Sequence, residues 1–338
     1  LWTELNQSHI PTDVIWTETL PPEKLGRYRV LILSAARIIP EMEAMLLSDW
    51  VEKGGTLIDT GTTSLYNEGG ELQDNYSLSK LFGVNYVAHA GEADPAKNDT
   101  SCWKNGGPST LDYEFGLNPV KFRDVIHRDI KPVKSLKEYS LLENATTFMP
   151  VPEVGARCEY DMPLGYDKVE PVTAEVIAKF YNGDPAITVN KVGKGLCFMW
   201  TPMHPALSHT SSDWEMHPNK LDFWPNAREM LQGMVLGGLK HQGAKLPVET
   251  DNLPTEVEIT VRSQPEHNRT IVHVLNYDTR QDKVDEYSLT INVPDGKQVA
   301  RVFYPDTETE INFVAEEGSV AMGLRSFEIH DMIVVQWK

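Results

Sequence analysis

A chain of 338 residues with 41% hydrophobic content can bury one large core or two moderate ones, and its composition excludes wholesale disorder. Its 31 basic and 49 acidic residues give a net charge of -18 with no basic cluster to offset it, which argues against nucleic acid and anionic membrane surfaces as partners. Cys102, Cys158 and Cys197 show no CxxC or Cys/His ligand spacing, so neither a disulfide framework nor a structural zinc site is expected, and no apolar run reaches the ~18 residues of a membrane span.

The opening, Leu1-Trp-Thr-Glu-Leu-Asn-Gln, reads as the middle of an amphipathic helix without an initiator Met, so an upstream part of the protein is expected. A short strand at 14–16 should follow as a first parallel partner. The segment 28–63 organises the rest. An apolar run at 30–33 suits a strand buried on both faces, and Pro40 suits the first turn of a helix along which Met42, Met45, Leu46, Trp50 and Val51 recur at helical spacing. Gly54 and Gly55 end that helix, and 56–59 reads as a second buried strand. Two apolar strands joined by a crossover helix form a βαβ unit. The fold class expected is therefore α/β, a parallel sheet flanked by helices, with ligands beyond the carboxyl ends of the strands at 34–37 and 60–66. Tyr66 and Glu68 lie there and could bind substrate in a crevice, although Gly69-Gly70 suits a plain surface loop equally well.

A short helix ended by Gly83 and a strand at 85–89 come next. From 90 to 171 Gly, Pro, Asn and Asp recur and periodicity is weak, which points to a long insertion with functional or assembly contacts. Trp103 stands isolated in it, as an anchor for the insertion itself or as a substrate contact. Strands at 174–181 and 185–192 form a hairpin around Asn182-Gly183-Asp184, and 196–200 is a core strand in which Cys197 should be an inert buried thiol. The loop 201–225 carries His204, His209, Asp213, Trp214, Glu215, His217, Asp222 and Trp224. These are too dispersed for a metal set, so no metal and no cofactor are expected. An ordinary polar loop accounts for them. Sugar contact does too, since an aromatic face stacks on sugar C–H surfaces while Asp213 and Glu215 accept hydroxyl hydrogens, and so does subunit contact, where Trp is a favoured anchor. A helix at 226–240 and a linker follow. Beyond them the period changes to two: strands at 257–261, 270–277, 287–293, 299–304, 326–329 and 332–337 predict an antiparallel β-sandwich of roughly 90 residues, with Phe303 and Trp337 in its core. The domains expected are 1–243 and 244–338.

Three stretches, Tyr28-Arg-Val-Leu-Ile-Leu, Asp49-Trp-Val-Glu-Lys-Gly-Gly-Thr-Leu-Ile-Asp-Thr-Gly and Val189-Asn-Lys-Val-Gly-Lys-Gly-Leu-Cys-Phe, resemble the trimerisation domain of family 42 β-galactosidases and related glycoside hydrolases. That domain is similar in fold to class I glutamine amidotransferases, so the resemblance implies a flavodoxin-like parallel sheet flanked by helices with the 90–171 insertion. Val272-His-Val-Leu-Asn-Tyr resembles the C-terminal β domain that follows it. The resemblance implies a homo-oligomer and an upstream (β/α)8 barrel that holds the two catalytic carboxylates, for which this chain has no room. It also implies that an aromatic of this domain reaches a neighbouring active site, but Trp103 does not align with it residue by residue. Amidotransferase chemistry needs a Cys on the sharp turn after a central strand, and the equivalent turn, Asp59-Thr60-Gly61-Thr62-Thr63-Ser64, has none. The expected function is a non-catalytic C-terminal part of a soluble, cytoplasmic glycoside-hydrolase-like protein, serving oligomerisation and helping to complete a carbohydrate site. The alternatives are a self-sufficient hydrolase or amidotransferase-like enzyme and a carbohydrate-binding module.

Overall fold

Helices α1 (Trp2–Gln7) and α2 (Pro22–Leu25) precede the first strand in a computed structural model that describes residues 1–15, 22–91, 165–180, 183–202, 227–277, 283–316 and 318–338. Strand β1 (Val30–Leu33), helix α3 (Glu41–Glu52) and strand β2 (Thr56–Thr60) form the βαβ unit, with Val30 opposite Thr56 and Leu33 opposite Asp59 in parallel register. Pro40 caps the helix with its fixed φ, and a φ of 123° at Gly54 ends the turn after it. The buried face of α3 differs from the expected one. Leu47 and Val51 are its core residues, while Met42 and Met45 are 75% and 68% exposed.

Helix α4 (Ser79–Phe82), ended by Gly83, leads into strand β3 (Val84–Gly91), which pairs antiparallel with strand β4 (Gly165–Pro171). Strand β4 lies inside the stretch expected to be irregular. Tyr166, Asp167 and Val169 are its buried side chains, and the strand is fixed by pairing with β3 rather than by an alternating local pattern. Strands β5 (Glu175–Lys179) and β6 (Pro185–Val192) make the expected hairpin, and strand β7 (Gly195–Trp200) joins β2 in parallel. The sheet order is β1-β2-β7-β6-β5. It is therefore mixed: β1, β2 and β7 run parallel, whereas β6 runs antiparallel to both of its neighbours, β7 and β5, so a wholly parallel flavodoxin-like sheet is not what these strands form. Leu57, Cys197 and Met199 pack with Leu47 and Val51 of α3 on one face. On the other, helix α5 (Ala227–His241) brings Gly238 so near Thr56 that a Cβ would fall 2.6 Å from its side chain, and Gln242 just beyond the helix donates to Thr56 Oγ1 at 2.9 Å. Successive side chains of β2 point to opposite faces, which places the two helices on opposite sides.

All of these elements except α1 belong to one unit, Ile15–Ala244, and the remaining residues, Leu1–Val14 with α1 and Lys245–Lys338, form another. Beside α1, the second unit contains strands β8 (Val248–Glu249), β9 (Val257–Gln264), β10 (Arg269–Asn276), β11 (Tyr287–Asn292), β12 (Val299–Tyr304), β13 (Thr309–Glu310), β14 (Phe313–Glu316), β15 (Ser319–Leu324) and β16 (His330–Trp337). They make two antiparallel sheets, β13-β12-β16-β10-β9 and β14-β15-β11-β8. Alternate residues from both sheets, among them Val272, Val274, Ile333 and Val335 facing Leu289, Ile291, Val320 and Met322, share one apolar core, as a sandwich requires. Two expectations fail in detail. The segment 326–329 is no strand, since Phe327 makes a single bridge to Val284, and β15 takes that place in the sheet. Phe303 points away from the core under the Arg301 guanidinium, 4.3 Å from its ring, while Val302 and Tyr304 point inward. Residues 11–15 form no strand, and Trp16 lies outside the described residues. None of the described helices is long and apolar enough to cross a membrane.

Candidate functional site

The loops at the carboxyl ends of β1 and β2 are stitched together by hydroxyl groups. The Ala35 and Ala36 amides donate to Thr60 Oγ1 and Thr63 Oγ1 at 2.8 and 3.0 Å, and the Ser64 amide donates to the Ala36 carbonyl at 2.9 Å. Ser64 Oγ accepts from the Leu78 amide at 3.2 Å. Three of the hydroxyls that stand where a thiolate would have to be are thus acceptors for the main chain. Thr62 is different. It sits at φ 69°, a left-handed conformation that a β-branched residue rarely adopts and that costs about 1–3 kcal/mol, and its Oγ1 is buried without a hydrogen-bond partner. Gly61 before it lies against the chain leaving β7, where an added Cβ would fall 2.1 Å from the Thr201 carbonyl oxygen.

Asp167 of β4 holds this turn. Its Oδ2 accepts from the Thr62 amide at 2.6 Å and from the Tyr76 hydroxyl at 2.7 Å, and its Oδ1 lies 2.9 Å from His89 Nδ1. A carboxylate only accepts, so Nδ1 carries the proton and His89 Nε2 is left facing inward; that nitrogen is buried and without a partner. The ring of Tyr76 is held edge-on against Phe82 and Tyr86 at 5.5 and 5.6 Å, and burial, the Asp167 charge and the bond to Asp167 push its phenol well above the ordinary range. Asp59, at the end of β2, is completely buried. Burial drives its carboxyl well up and the Asp167 charge adds to this, against smaller opposing effects from Thr63 and the Thr60 amide. The Thr63 hydroxyl gives its hydrogen to the Thr60 carbonyl at 2.9 Å, which leaves both Asp59 oxygens without a hydrogen-bond partner.

Carboxylate, imidazole and hydroxyl are the residue types of acyl transfer, yet this arrangement lacks two things such chemistry needs. The side chains of His89 and Asp167 have no solvent exposure, and the Thr62 amide is spent on Asp167 rather than free to bind an oxyanion. What the cluster does is tie β2, β3, β4 and the segment before α4 into one buried polar knot. Cys197 is no nucleophile either: it is fully buried in β7, and burial followed by the Asp59 charge raises its thiol well above the usual range. Among the described residues no group of three or more His, Cys, Asp or Glu side chains is placed to hold a metal.

The residues singled out in the sequence fall elsewhere. Tyr66 is 9% exposed, bridges Ile38 and Leu72 through its main chain, and packs in the core with the Arg37 guanidinium 5.7 Å from its ring. Glu68 is exposed in a turn built by Asn67, whose Oδ1 accepts from the amides of Gly69 and Glu71. Trp103, His204, His209, Asp213, Trp214 and Glu215 lie outside the described residues. His89 and Asp167 are the residues that sequence reasoning missed. Their pairing spans 78 positions, and an Asp buried in a strand of weak pattern is the one local signal that could have marked it.

No protein-family model matches the chain, and no curated protein does. Solved structures do. A β-galactosidase from Bacillus circulans sp. alkalophilus aligns with a TM-score of 0.56 at 17% identity over 99% of this chain and 36% of its own. The chain shares the fold of that part of the enzyme. Gan42B, a GH42 β-galactosidase, aligns at 0.53 and 15% identity over 100% of this chain and 35% of its own. An α-L-fucosidase isoenzyme 2 from Paenibacillus thiaminolyticus aligns at 0.58 and 17% identity over 99% and 44%. The chain thus spans roughly a third to under half the length of these proteins.

Proposed function

We propose that this chain is a non-catalytic region of a glycoside-hydrolase-like protein, in which the α/β unit is the counterpart of the β-galactosidase trimerisation domain and mediates self-association. The observation that supports this reading is the near-complete coverage of the chain by about a third of each β-galactosidase structure, which leaves most of those enzymes outside it. The turn after β2 supports it, because the Thr60, Thr63 and Ser64 hydroxyls serve the main chain and Cys197, the one thiol among the described residues, is sealed in the core. In this account a barrel with paired carboxylates is the catalytic partner in the parent protein. Trp103 and the loop holding His204, His209, Asp213, Trp214 and Glu215 are the parts that meet sugar or a neighbouring subunit. The exposed Met42 and Met45 on α3 add apolar surface for assembly. Sedimentation equilibrium tests the reading: a concentration-dependent oligomer is expected in the micromolar range, and a strict monomer at all concentrations would overturn self-association.

A further inference from the structure

The end of the sandwich unit where β15 leads into β16 holds a cavity of about 520 Å³, lined by the segment Arg325–Asp331. That volume lies in the range of sites that take one small ligand. The main chain of the segment is pinned from two sides. Phe327 exchanges both of its main-chain bonds with Val284, at 2.7 and 3.1 Å, and the Ile329 and Glu328 carbonyls accept from the amide and the side-chain nitrogen of Asn276 at 2.8 and 3.0 Å. We propose that this cavity binds a neutral sugar, whose hydroxyl groups bond to the Glu328 carboxylate and the Ser326 hydroxyl while its C–H face covers Ile329.

Three observations favour that class of ligand. The first is charge. The Arg325 guanidinium is already matched: Nε and Nη2 donate to the two oxygens of Asp331 at 3.1 and 2.7 Å, Nη2 also reaches Asp306 at 2.7 Å, and the group lies 4.0 Å from the centre of the Tyr304 ring. Glu328 is exposed and engages no cation among the described residues, so the lining is negative on balance and repels phosphate and carboxylate ligands. The second is the pairing of surfaces. A carboxylate accepts and never donates, which suits sugar hydroxyls, and beside it Ile329 leaves 70% of its aliphatic surface in water for a pyranose ring to cover. Tyr277, which follows Asn276 and is 57% exposed, puts an aromatic at the same end of the sheet. The third is rigidity. Phe327 is buried and edge-on to Tyr287 at 5.5 Å, so the segment is held in place before a ligand arrives and binding orders little.

This cavity is separate from the segments assigned above to sugar or subunit contact, and only the choice of probes rests on the glycoside-hydrolase reading. The full chain, carrying 13C in its isoleucine methyl groups, is titrated with methyl β-D-galactopyranoside and with L-fucose and followed by nuclear magnetic resonance; Ile329→Val identifies the Ile329 signal. A saturable shift of that signal in the millimolar range is expected with at least one of the sugars, and none with inorganic phosphate. Glu328→Gln, at an exposed position, should weaken binding about tenfold, because a bond to a charged acceptor becomes one to a neutral acceptor. No shift at Ile329 with either sugar, a shift that Glu328→Gln leaves unchanged, or a stronger response to phosphate than to sugar overturns the site. Sedimentation of the Glu328→Gln chain should match that of the unaltered one, so the sugar site and self-association fail separately.

Discussion

Removing the carboxylate of Asp167 should loosen the α/β unit more than any other single polar deletion. The group has no exposure and takes three donors, from the Thr62 amide, the Tyr76 hydroxyl and His89 Nδ1. In Asp167→Ala all three are left in the interior unpaired, and the outcome expected is a loss of about 3–5 kcal/mol, as for breaking a buried pair by removing one partner. Tyr76→Phe deletes a single bond to the carboxylate and keeps the ring against Phe82 and Tyr86, so it should cost about 1.5–3 kcal/mol. Asp167→Asn should fall below Asp167→Ala, because its carbonyl oxygen can still accept from Thr62 and Tyr76 while its amide meets the other tautomer of His89. Two separate units forbid a single two-state transition, so hydrogen exchange by mass spectrometry is the assay: peptides from Thr56–Thr60 should lose protection in this rank order while those from Tyr287–Asn292 do not change. Equal protection in Asp167→Ala and the unaltered chain would refute the view that this carboxylate ties the turn.

Other outcomes follow from the same region. Because the folded-state pKa of Asp59 is raised above the ordinary 3.8, the native state holds a proton that the unfolded state has released, so its contribution to stability falls as pH rises from about 4 toward the raised value. Asp59→Asn should therefore raise the melting temperature of the α/β unit at pH 7 and have little effect at pH 4, by calorimetry; no difference between the two pH values contradicts the assigned burial. Gly61→Ala should fail to fold or melt far below the parent, since the new Cβ meets a main-chain oxygen rather than a movable side chain. Cys197 should resist a thiol reagent until denaturant opens the unit, and rapid labelling in the folded state would sink its placement.

How much of this was legible in the sequence depends on the range over which each feature is encoded. The βαβ unit is local: apolar runs, Pro40 and the Gly54-Gly55 stop fix it within about 36 residues, a span set by the usual size of such units. The same local pattern misassigned Met42 and Met45, because a helix with apolar residues on two adjoining faces does not say which face the sheet will cover. Strand β15, Ser319-Val-Ala-Met-Gly-Leu, was missed since its small residues mimic a turn, and its burial comes from pairing with β11 and β14. Sheet direction was only half legible. Nothing in the composition of β6 distinguishes an antiparallel neighbour of β7 from a parallel one, whereas the hairpin turn before it does fix its partnership with β5. The buried knot was the least legible feature, because Asp167 meets Thr62 across 105 positions and Tyr76 across 91, and such contacts leave no periodic trace.

If the proposed non-catalytic role holds, this chain carries out no hydrolysis by itself. Turnover of a panel of aryl galactosides and fucosides, together with glutamine, by the purified chain measures it directly. Release no faster from the unaltered protein than from its heat-denatured sample is expected. A steady rate that disappears in Thr62→Ala or His89→Ala variants shown to be folded would contradict it and make the buried knot an active site.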